Sequence, residues 1–312
     1  MSGKRGASLD LEMQTFLSFL LALYLSGTAV AAAEPAADKP PTKPTAWWSV
    51  RWQPTHVVNG SPIAFRVSAA GRLDSLSGKW LGHDVYFSFN THQKVWYAIG
   101  GVGLDTAPGK YDLDLEGKIA GGKDVSFRRS ILVGKGRYRK IAVTVAKQYT
   151  EPDPEQLKRI NEEKELKHQL LAHFEPEREW SGQFTAPVKA PVSDVFGTAR
   201  VFNGETQSVH QGLDFGVPAG TPVAALNRGT VILARPLFFE GGFIVLDHGQ
   251  GLLTLYMHLS KIEVKEGDPV TRGQELALSG GTGRASGPHL HVAVRWQGVY
   301  LDPAILLKLS LP

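Results

Sequence analysis

Residues 279–294 read SGGTGRASGPHLHVAV, a glycine-rich run that passes through Pro288 into a stretch of strand character. Glycine-rich runs can bind phosphate, but this one lacks the Gly-Lys-Ser/Thr ending and leads into a predicted strand instead of a helix N-terminus. It is therefore predicted to be a turn at the rim of a groove. Side chains two residues apart in a strand face the same side, so His289 and His291 project together, with Cα atoms roughly 6–7 Å apart.

Short apolar segments separated by turn residues recur through the part of the chain around this stretch. No segment of helical length and period interrupts them, which predicts an antiparallel β domain over residues 183–312. The predicted strands cover residues 230–234, 243–246, 252–256, 275–278 and 290–294.

The preceding part of the chain has the same strand-and-turn character, so the fold class is predicted to be mostly β. Residues 47–150 are predicted to form an immunoglobulin-like β-sandwich. Its expected strands are 63–67, 84–89, 95–99, 110–115 and 140–145.

Residues 151–182 are predicted to be a helical connector between the two β domains. Its helix is expected over residues 154–173, where Pro154 suits a helix start and Pro176 a stop. A single apolar stripe predicts that one face of this helix packs on a neighbouring domain. The stripe consists of Leu157, Ile160, Leu166, Leu170 and Leu171.

The N-terminus has the features of an export signal. Lys4 and Arg5 precede an apolar run over 16–33 that ends in small residues, with the A-x-A pattern at 29–31. We therefore expect a signal peptide over residues 1–33, followed by a Pro- and Ala-rich tether over 34–46. The predicted location is the periplasm or cell surface of a bacterium. An uncleaved membrane anchor is the alternative, because roughly 18 apolar residues is the lower limit for a span.

The composition excludes several kinds of site. The chain has no cysteine, so disulfides, thiolate zinc sites and iron–sulfur clusters are excluded, and a metal must be bound by His, Asp or Glu. Its net charge of +4 is a mild bias toward anionic surfaces such as cell wall. Nucleic acid is not predicted as a partner, since no dense basic run occurs beyond residues 137–140.

The histidines gather in the last third of the sequence, where five of the ten lie between His210 and His291. His210 and Asp214 would be roughly 13 Å apart on a straight strand, so the chain must bend near Gly212 if both bind one ion. His258 follows an apolar run at a predicted strand end. Each feature alone is a weak signal. Together they supply the two histidines and one carboxylate that commonly bind a catalytic zinc and leave a position open for water.

Residues 196–303 resemble the catalytic domain of the lysostaphin/LytM family of zinc metallopeptidases, over roughly a third of the chain. The preceding β domain also resembles, more loosely, the immunoglobulin-like domain of some exported members. The matching motifs of the catalytic domain are Phe196-Gly197, His210-x-Gly-x-Asp214, Gly220-Thr-Pro-Val223, Val245-Leu-Asp-His-Gly249, Leu255-Tyr-Met-His258, Glu266-Gly-Asp-x-Val270 and Gly287-Pro-His-Leu-His291.

This resemblance implies a role for each of five residues. The expected ligands of one Zn²⁺ ion per chain are His210, Asp214 and His291, and the expected catalytic residues are His258 and His289. His248 matches a turn histidine of the family without a ligand role. The implied activity is that of an exported endopeptidase, which hydrolyses peptide bonds in the stem peptides or cross-links of peptidoglycan.

The sequence bears on three other functions. A non-enzymatic regulator of other wall hydrolases can share the fold, but the five positions are all intact here. A secreted peptidase acting on other proteins stays open at this point. A biotinyl or lipoyl carrier domain has a similar turn rhythm, yet it needs a lysine on a tight turn, and none occurs between Lys189 and Lys261.

Overall fold

The computed structural model describes residues 48–69, 71–119, 121–144, 146–149, 151–202 and 206–312, without the side chains of residues 202, 206 and 207. The signal peptide and the tether expected over residues 1–46 lie outside these residues. None of the helices in the described part of the chain is long and apolar enough to cross a membrane. The described residues belong to one compact unit.

The first half of this unit is built from strands in two sheets, as the alternating sequence predicts. The strands are β1 (Trp48–Gln53), β2 (Val57–Val58), β3 (Pro62–Ala69), β4 (Leu73–Trp80), β5 (His83–Tyr86), β6 (Ser88–Asn90), β7 (Val95–Gly101), β8 (Gly109–Ile119) and β9 (Lys123–Gly134). Their order is β1-β3-β7-β6 in one sheet and β2-β9-β8-β4-β5 in the other. Apolar side chains such as Phe65, Trp80 and Leu113 are fully buried in the core. The immunoglobulin-like assignment of this region stays a prediction.

The prediction of a single strand over residues 84–89 is wrong in one respect. The chain leaves the sheet at Phe87 and forms two short strands, β5 and β6, which belong to different sheets. Phe87 is buried, with 9% of its surface exposed, so the chain changes sheets where this side chain enters the core.

The segment that follows joins the two halves of the unit. It contains β10 (Lys140–Val143), a 3-10 turn (Lys147–Tyr149) and α1 (Pro154–Leu171). Strand β10 was expected in the first β domain, but it runs parallel to β12 (Ala199–Phe202) of the second half. The connection between the halves is therefore itself part of a sheet.

Helix α1 begins where the sequence predicts and ends two residues early. The Asp153 side chain accepts a hydrogen bond from the Gln156 backbone N–H (2.8 Å), and the Gln156 side chain accepts one from the Asp153 N–H (3.1 Å). This reciprocal cap satisfies N–H groups that an uncapped helix start leaves unpaired. Leu166, Leu170 and Leu171 pack on the sheet behind the helix. Leu157 was expected in the same stripe but is 46% exposed, so the packed face covers only the second half of the helix.

The second half is the predicted antiparallel β domain. Its elements, besides β12, are β11 (Val192–Asp194), β13 (Thr206–Val209), β14 (Leu213–Phe215), β15 (Pro222–Ala224), β16 (Gly229–Leu237), β17 (Gly241–Asp247), β18 (Leu252–Leu259), β19 (Lys261–Ile262), β20 (Pro269–Val270), β21 (Glu275–Leu278), β22 (Leu290–Trp296), β23 (Val299–Leu301) and α2 (Pro303–Leu306). The main sheet has the order β11-β14-β22-β18-β17-β16-β20, with β23 paired to β22. The five strands predicted here are confirmed as β16, β17, β18, β21 and β22.

Both faces of the main sheet are covered, which explains the continuous apolar runs in its central strands. On one face, Ile244, Tyr256 and Val292 join the main core. On the other face, Leu255 and Ala293 pack beneath α1. Side chains alternate along β22, so His291 lies on the same face as Ala293 and α1.

Candidate metal centre

The sheet register places Asp214 and His291 next to each other. Strands β14 and β22 are antiparallel neighbours, and these two residues are direct partners across them. His210 lies before β14 and is brought back by a bend at Gly212. His210 Nε2 is 3.0 Å from Asp214 Oδ1, and His291 Nδ1 is 2.8 Å from the same oxygen. Side chains expected to be distant on a straight strand therefore meet at one point.

Gly212 is required at this bend because the chain passes directly against His291. A Cβ atom added to Gly212 would lie 2.5 Å from His291 Nε2 and 2.5 Å from the Val292 carbonyl oxygen. These distances are shorter than van der Waals contact, and one of the two groups is rigid backbone. Any side chain at position 212 would push His291 or strand β22 away from Asp214.

His258 and His289 complete the cluster on its open side. Their ring centroids are 4.8 Å apart, and the His258 ring is 6.1 Å from that of His291. His289 Nε2 is 3.9 Å from Asp214 Oδ1. The structure thus brings together all five residues that the sequence singled out.

Backbone carbonyl groups orient three of the four histidines. The Nδ1 atoms of His210, His258 and His289 each lie 2.8 Å from a carbonyl oxygen, of Val195, Thr282 and Gly287 respectively. A carbonyl oxygen only accepts hydrogen bonds, so each of these Nδ1 atoms carries the hydrogen in the neutral ring. The Nε2 atom of each neutral ring is then left with a lone pair, and Nε2 of His210 and Nε2 of His289 lie 3.0 Å and 3.9 Å from Asp214 Oδ1. His291 is the exception, since its Nδ1 faces Asp214.

The strand end that carries His258 has an unusual backbone. His258 has a φ of 63°, in the left-handed region that non-glycine residues seldom adopt. Its backbone N–H donates to the Glu240 carbonyl (2.8 Å), which anchors this conformation. Because of this backbone conformation, the His258 side chain departs from the alternating directions of the side chains in β18, and its ring lies beside that of His289.

The electrostatics of the cluster favour an ionised carboxylate at Asp214 and neutral imidazoles at His258 and His291. Burial alone would raise the pKa of the Asp214 carboxyl, but the close contacts of His210 and His291 outweigh it and hold this pKa far below its usual range. Burial, with the neighbouring His291 and His289, lowers the pKa of His258 to about 3. Burial also lowers the pKa of His291. Metal ligands must be deprotonated, so these directions suit a metal site.

The donor set fits a zinc ion. One ligand atom from each of His210, Asp214 and His291 lies within 4.8 Å of the others, and all three residues are buried. Two imidazole nitrogens and one carboxylate oxygen are a usual protein set for a catalytic zinc. Structural zinc sites commonly have four protein ligands, often thiolates, and this chain has no cysteine.

Sequence reasoning missed the charged residues behind the cluster. Arg200 Nη2 is 2.5 Å from Asp214 Oδ2, and the same guanidinium contacts Asp194. These contacts depend on the β12–β13 hairpin folding back onto β14, which no spacing in the sequence reports. The carbonyl groups that orient the histidines were missed for the same reason.

Three comparisons place these residues among known proteins. A model described as peptidase family M23 matches residues 208–303, which include all five cluster residues. A crystal structure of a protein assigned to peptidase M23 from Pseudomonas aeruginosa is 33% identical, with a TM-score of 0.60, and covers 80% of this chain and 94% of that one.

Two curated relatives share only the C-terminal part. The peptidoglycan DD-endopeptidase ShyA of Vibrio cholerae is 44% identical over 103 residues, which are 33% of this chain and 23% of that protein. The DD-carboxypeptidase/endopeptidase Mpg of Neisseria meningitidis is 37% identical over 98 residues, 31% of this chain and 23% of that protein. The chain thus spans about a quarter of the length of these relatives.

Proposed function

The chain belongs to peptidase family M23, and we propose that it is a zinc-dependent endopeptidase that hydrolyses peptide bonds in peptidoglycan stems or cross-links. The observation that carries this proposal is the convergence of His210, Asp214 and His291 on one point beside two further histidines. The name of ShyA, a peptidoglycan DD-endopeptidase, supports the same substrate class, and that of Mpg, a DD-carboxypeptidase/endopeptidase, supports peptide-bond hydrolysis.

The proposed ligands are His210, Asp214 and His291. A zinc ion bound there would act as a Lewis acid toward the scissile carbonyl and activate water near neutral pH. Gly212 allows His291 to approach, and the Val195 carbonyl keeps the Nε2 lone pair of His210 directed to the centre. The chain thus presents its three donors already oriented.

His258 and His289 are the proposed catalytic residues. The Thr282 and Gly287 carbonyls hold their Nδ1 hydrogens, so each ring keeps Nε2 as a hydrogen-bond acceptor when neutral. Each can therefore accept the proton that the attacking water gives up. The ring that is protonated can then donate a hydrogen bond to the charge that develops on the substrate oxygen.

The proposed place of action is outside the cytoplasm of a bacterium, in the periplasm or at the cell surface. The support for this is the basic start, the apolar run over 16–33 and the small residues at 29–31. The expected partner is the peptide of peptidoglycan. A membrane would be contacted only through the N-terminal segment.

The direct test is digestion of purified wall sacculi by the zinc-loaded protein, followed by mass analysis of the released fragments. We expect fragments whose peptide cross-links or stems have been hydrolysed. A chelator should stop their release, and added zinc should restore it. The His289→Ala variant serves as the control for a contaminating hydrolase. Intact sacculi after prolonged digestion with zinc-loaded protein would contradict the proposal.

A further inference from the structure

A guanidinium group lies directly behind the proposed ligand Asp214. Arg200 Nη2 is 2.5 Å from Asp214 Oδ2, while the other carboxylate oxygen, Oδ1, faces His210 and His291. The Arg200 side chain is only 18% exposed and that of Asp214 is 7% exposed, so solvent screens this pair weakly. The terminal torsion of an aspartate is broad and soft. The bond from Arg200 therefore fixes which oxygen faces the ligand histidines.

Asp194 holds Arg200 in this position. Its Oδ2 accepts from Arg200 Nε at 3.0 Å and from Nη2 at 2.7 Å. The same oxygen is 3.4 Å from His210 Nδ1, on the side of that ring away from the centre. The buried Asp194 carboxylate thus contacts Arg200, which lies behind Asp214, and the far side of the His210 ring. It therefore supports two of the three proposed ligands. It also offsets the positive charge of Arg200, which would otherwise oppose binding of a dication.

The connection from the first β region reaches the same carboxylate. Arg139 Nη2 is 2.6 Å from Asp194 Oδ1, and the Arg139 carbonyl accepts from the Ala199 N–H at 2.8 Å. Directly after Arg139, β10 pairs with the strand that carries Arg200, with Ile141 opposite Arg200. Tyr138, the residue before Arg139, donates a hydrogen bond from its hydroxyl group to the Asn59 carbonyl of the first region.

Tyr138 also packs on the wall of the site. A Cβ atom at Gly197 would lie 2.0 Å from the Tyr138 ring, so only glycine fits beneath it. The Gly197 N–H donates to the His210 carbonyl at 2.8 Å. The connection between the two β regions is thereby in contact with the backbone and side chains that support His210 and Asp214.

We infer that Arg200, Asp194 and Arg139 form a positioning network that holds Asp214 and His210 in ligand geometry, and that the connection from the first β region is part of the metal site. This inference rests on the proposed function. It assigns the first region a supporting role at the site, besides any binding role of its own. The three residues are positioning residues, since none of them is a proposed ligand.

The test measures zinc affinity of the full chain by competition with a chromophoric chelator. Arg200→Gln is expected to weaken zinc binding about 10- to 100-fold, the usual cost of losing a residue that orients a metal ligand. Arg200→Lys should fall between Gln and wild type, because a single ammonium group cannot reproduce the fork that spans both carboxylates. The melting temperature of each zinc-free variant shows whether the fold itself has suffered.

The role of the connection is tested by Arg139→Gln, with Arg137→Gln as its control. Arg139 is 52% exposed, so its ion pair is partly screened and the expected loss of zinc affinity is roughly two- to fivefold. Arg137 is an exposed arginine on the same connection, and its replacement should leave the affinity unchanged. Adding Arg139→Gln to Arg200→Gln should cause little further loss, because residues of one network are not additive.

The outcomes separate this inference from the proposed function. Zinc affinity unchanged or tighter in a folded Arg200→Gln variant overturns the inference, even if wild type cuts sacculi. Equal zinc affinities of the Arg139→Gln and Arg137→Gln variants overturn the inference that the connection supports the metal site. A wild-type chain that binds zinc and leaves sacculi intact overturns the proposed function alone. A wild-type chain that binds no zinc overturns both.

Discussion

Two buried histidines of the same β domain, His248 and His291, differ in what surrounds them. His248, at the turn after β17, is fully buried, with Nδ1 2.6 Å from the Arg228 carbonyl and Nε2 2.7 Å from the Thr254 hydroxyl. His291, on β22, faces Asp214 and His210 through Nδ1. Both rings have a pKa lowered mainly by burial. Burial and a shifted pKa therefore do not distinguish a functional histidine from a structural one.

The region around His248 and the cluster around His291 differ in the partners of the histidine ring nitrogens. In His248 both nitrogens are bound to neutral partners that are permanent parts of the fold. In His258 and His289, Nδ1 is bound to a backbone carbonyl. Nε2 of His289 lies 3.9 Å from Asp214 Oδ1, and the His258 ring packs against the rings of His289 and His291. A histidine with Nδ1 bound to the backbone and with its ring beside the metal ligands is arranged to act on a metal ion or substrate that the fold itself does not supply.

The largest effect is expected when a proposed ligand is removed. His291→Ala leaves the carboxylate and one histidine, too few protein ligands for a tightly bound zinc, so the metal content should fall from about one ion per chain to near zero. Hydrolysis of sacculi should fall to the background rate. Metal content by elemental analysis and fragment release measure the two effects.

The matched control for this ligand variant is His248→Gln, which removes another buried histidine of the same domain. We expect it to keep its zinc and most of its activity. Loss of zinc from both variants would show that the metal site depends on the fold in general, and the contrast between the two regions would be lost.

An intermediate effect is expected when the catalytic pair is changed and the ligands are kept. His258→Asn is preferred to His258→Ala, because asparagine tolerates the left-handed backbone at this position better than other residues with a side chain. Zinc content should be retained, while kcat falls roughly 10²-fold or more. His289→Ala should behave in the same way. A His258→Asn chain that binds no zinc would move His258 from the catalytic residues to the ligands.

Much of this architecture was predictable because its causes are local. Apolar alternation predicts the strands, and the reciprocal cap at Asp153 and Gln156 follows from residue types at fixed spacing. The H-x-H spacing brings His289, just before β22, and His291, within β22, to the same cluster, and Gly212 allows the bend that joins His210 to Asp214.

The remaining features depend on contacts between distant segments. Arg200 meets Asp214 only because the β12–β13 hairpin folds back, and Arg139 meets Asp194 only because β10 leaves the first region. Strand β10 has ordinary strand character, and its sequence does not say which sheet it joins. The split of residues 84–89 between two sheets likewise follows from the burial of Phe87 and not from a turn signal.

The smallest effect concerns stability and isolates the structural histidine. Burial lowers the pKa of His248 from 6.5 to about 4 in the folded chain, so below pH 6.5 the unfolded chain binds a proton more readily than the folded chain does. The stability due to the neutral ring is present above pH 6.5, decreases as the pH falls, and is lost near pH 4, by at most about 3 kcal/mol.

His248→Gln cannot titrate, so its free energy of unfolding should depend less steeply on pH over this range. Denaturant unfolding of both proteins in the same chelator-containing buffers measures the difference without a contribution from bound zinc. Equal pH dependence of the two proteins would mean that His248 is not the protonation-sensitive group of its region, and that burial does not keep its ring neutral.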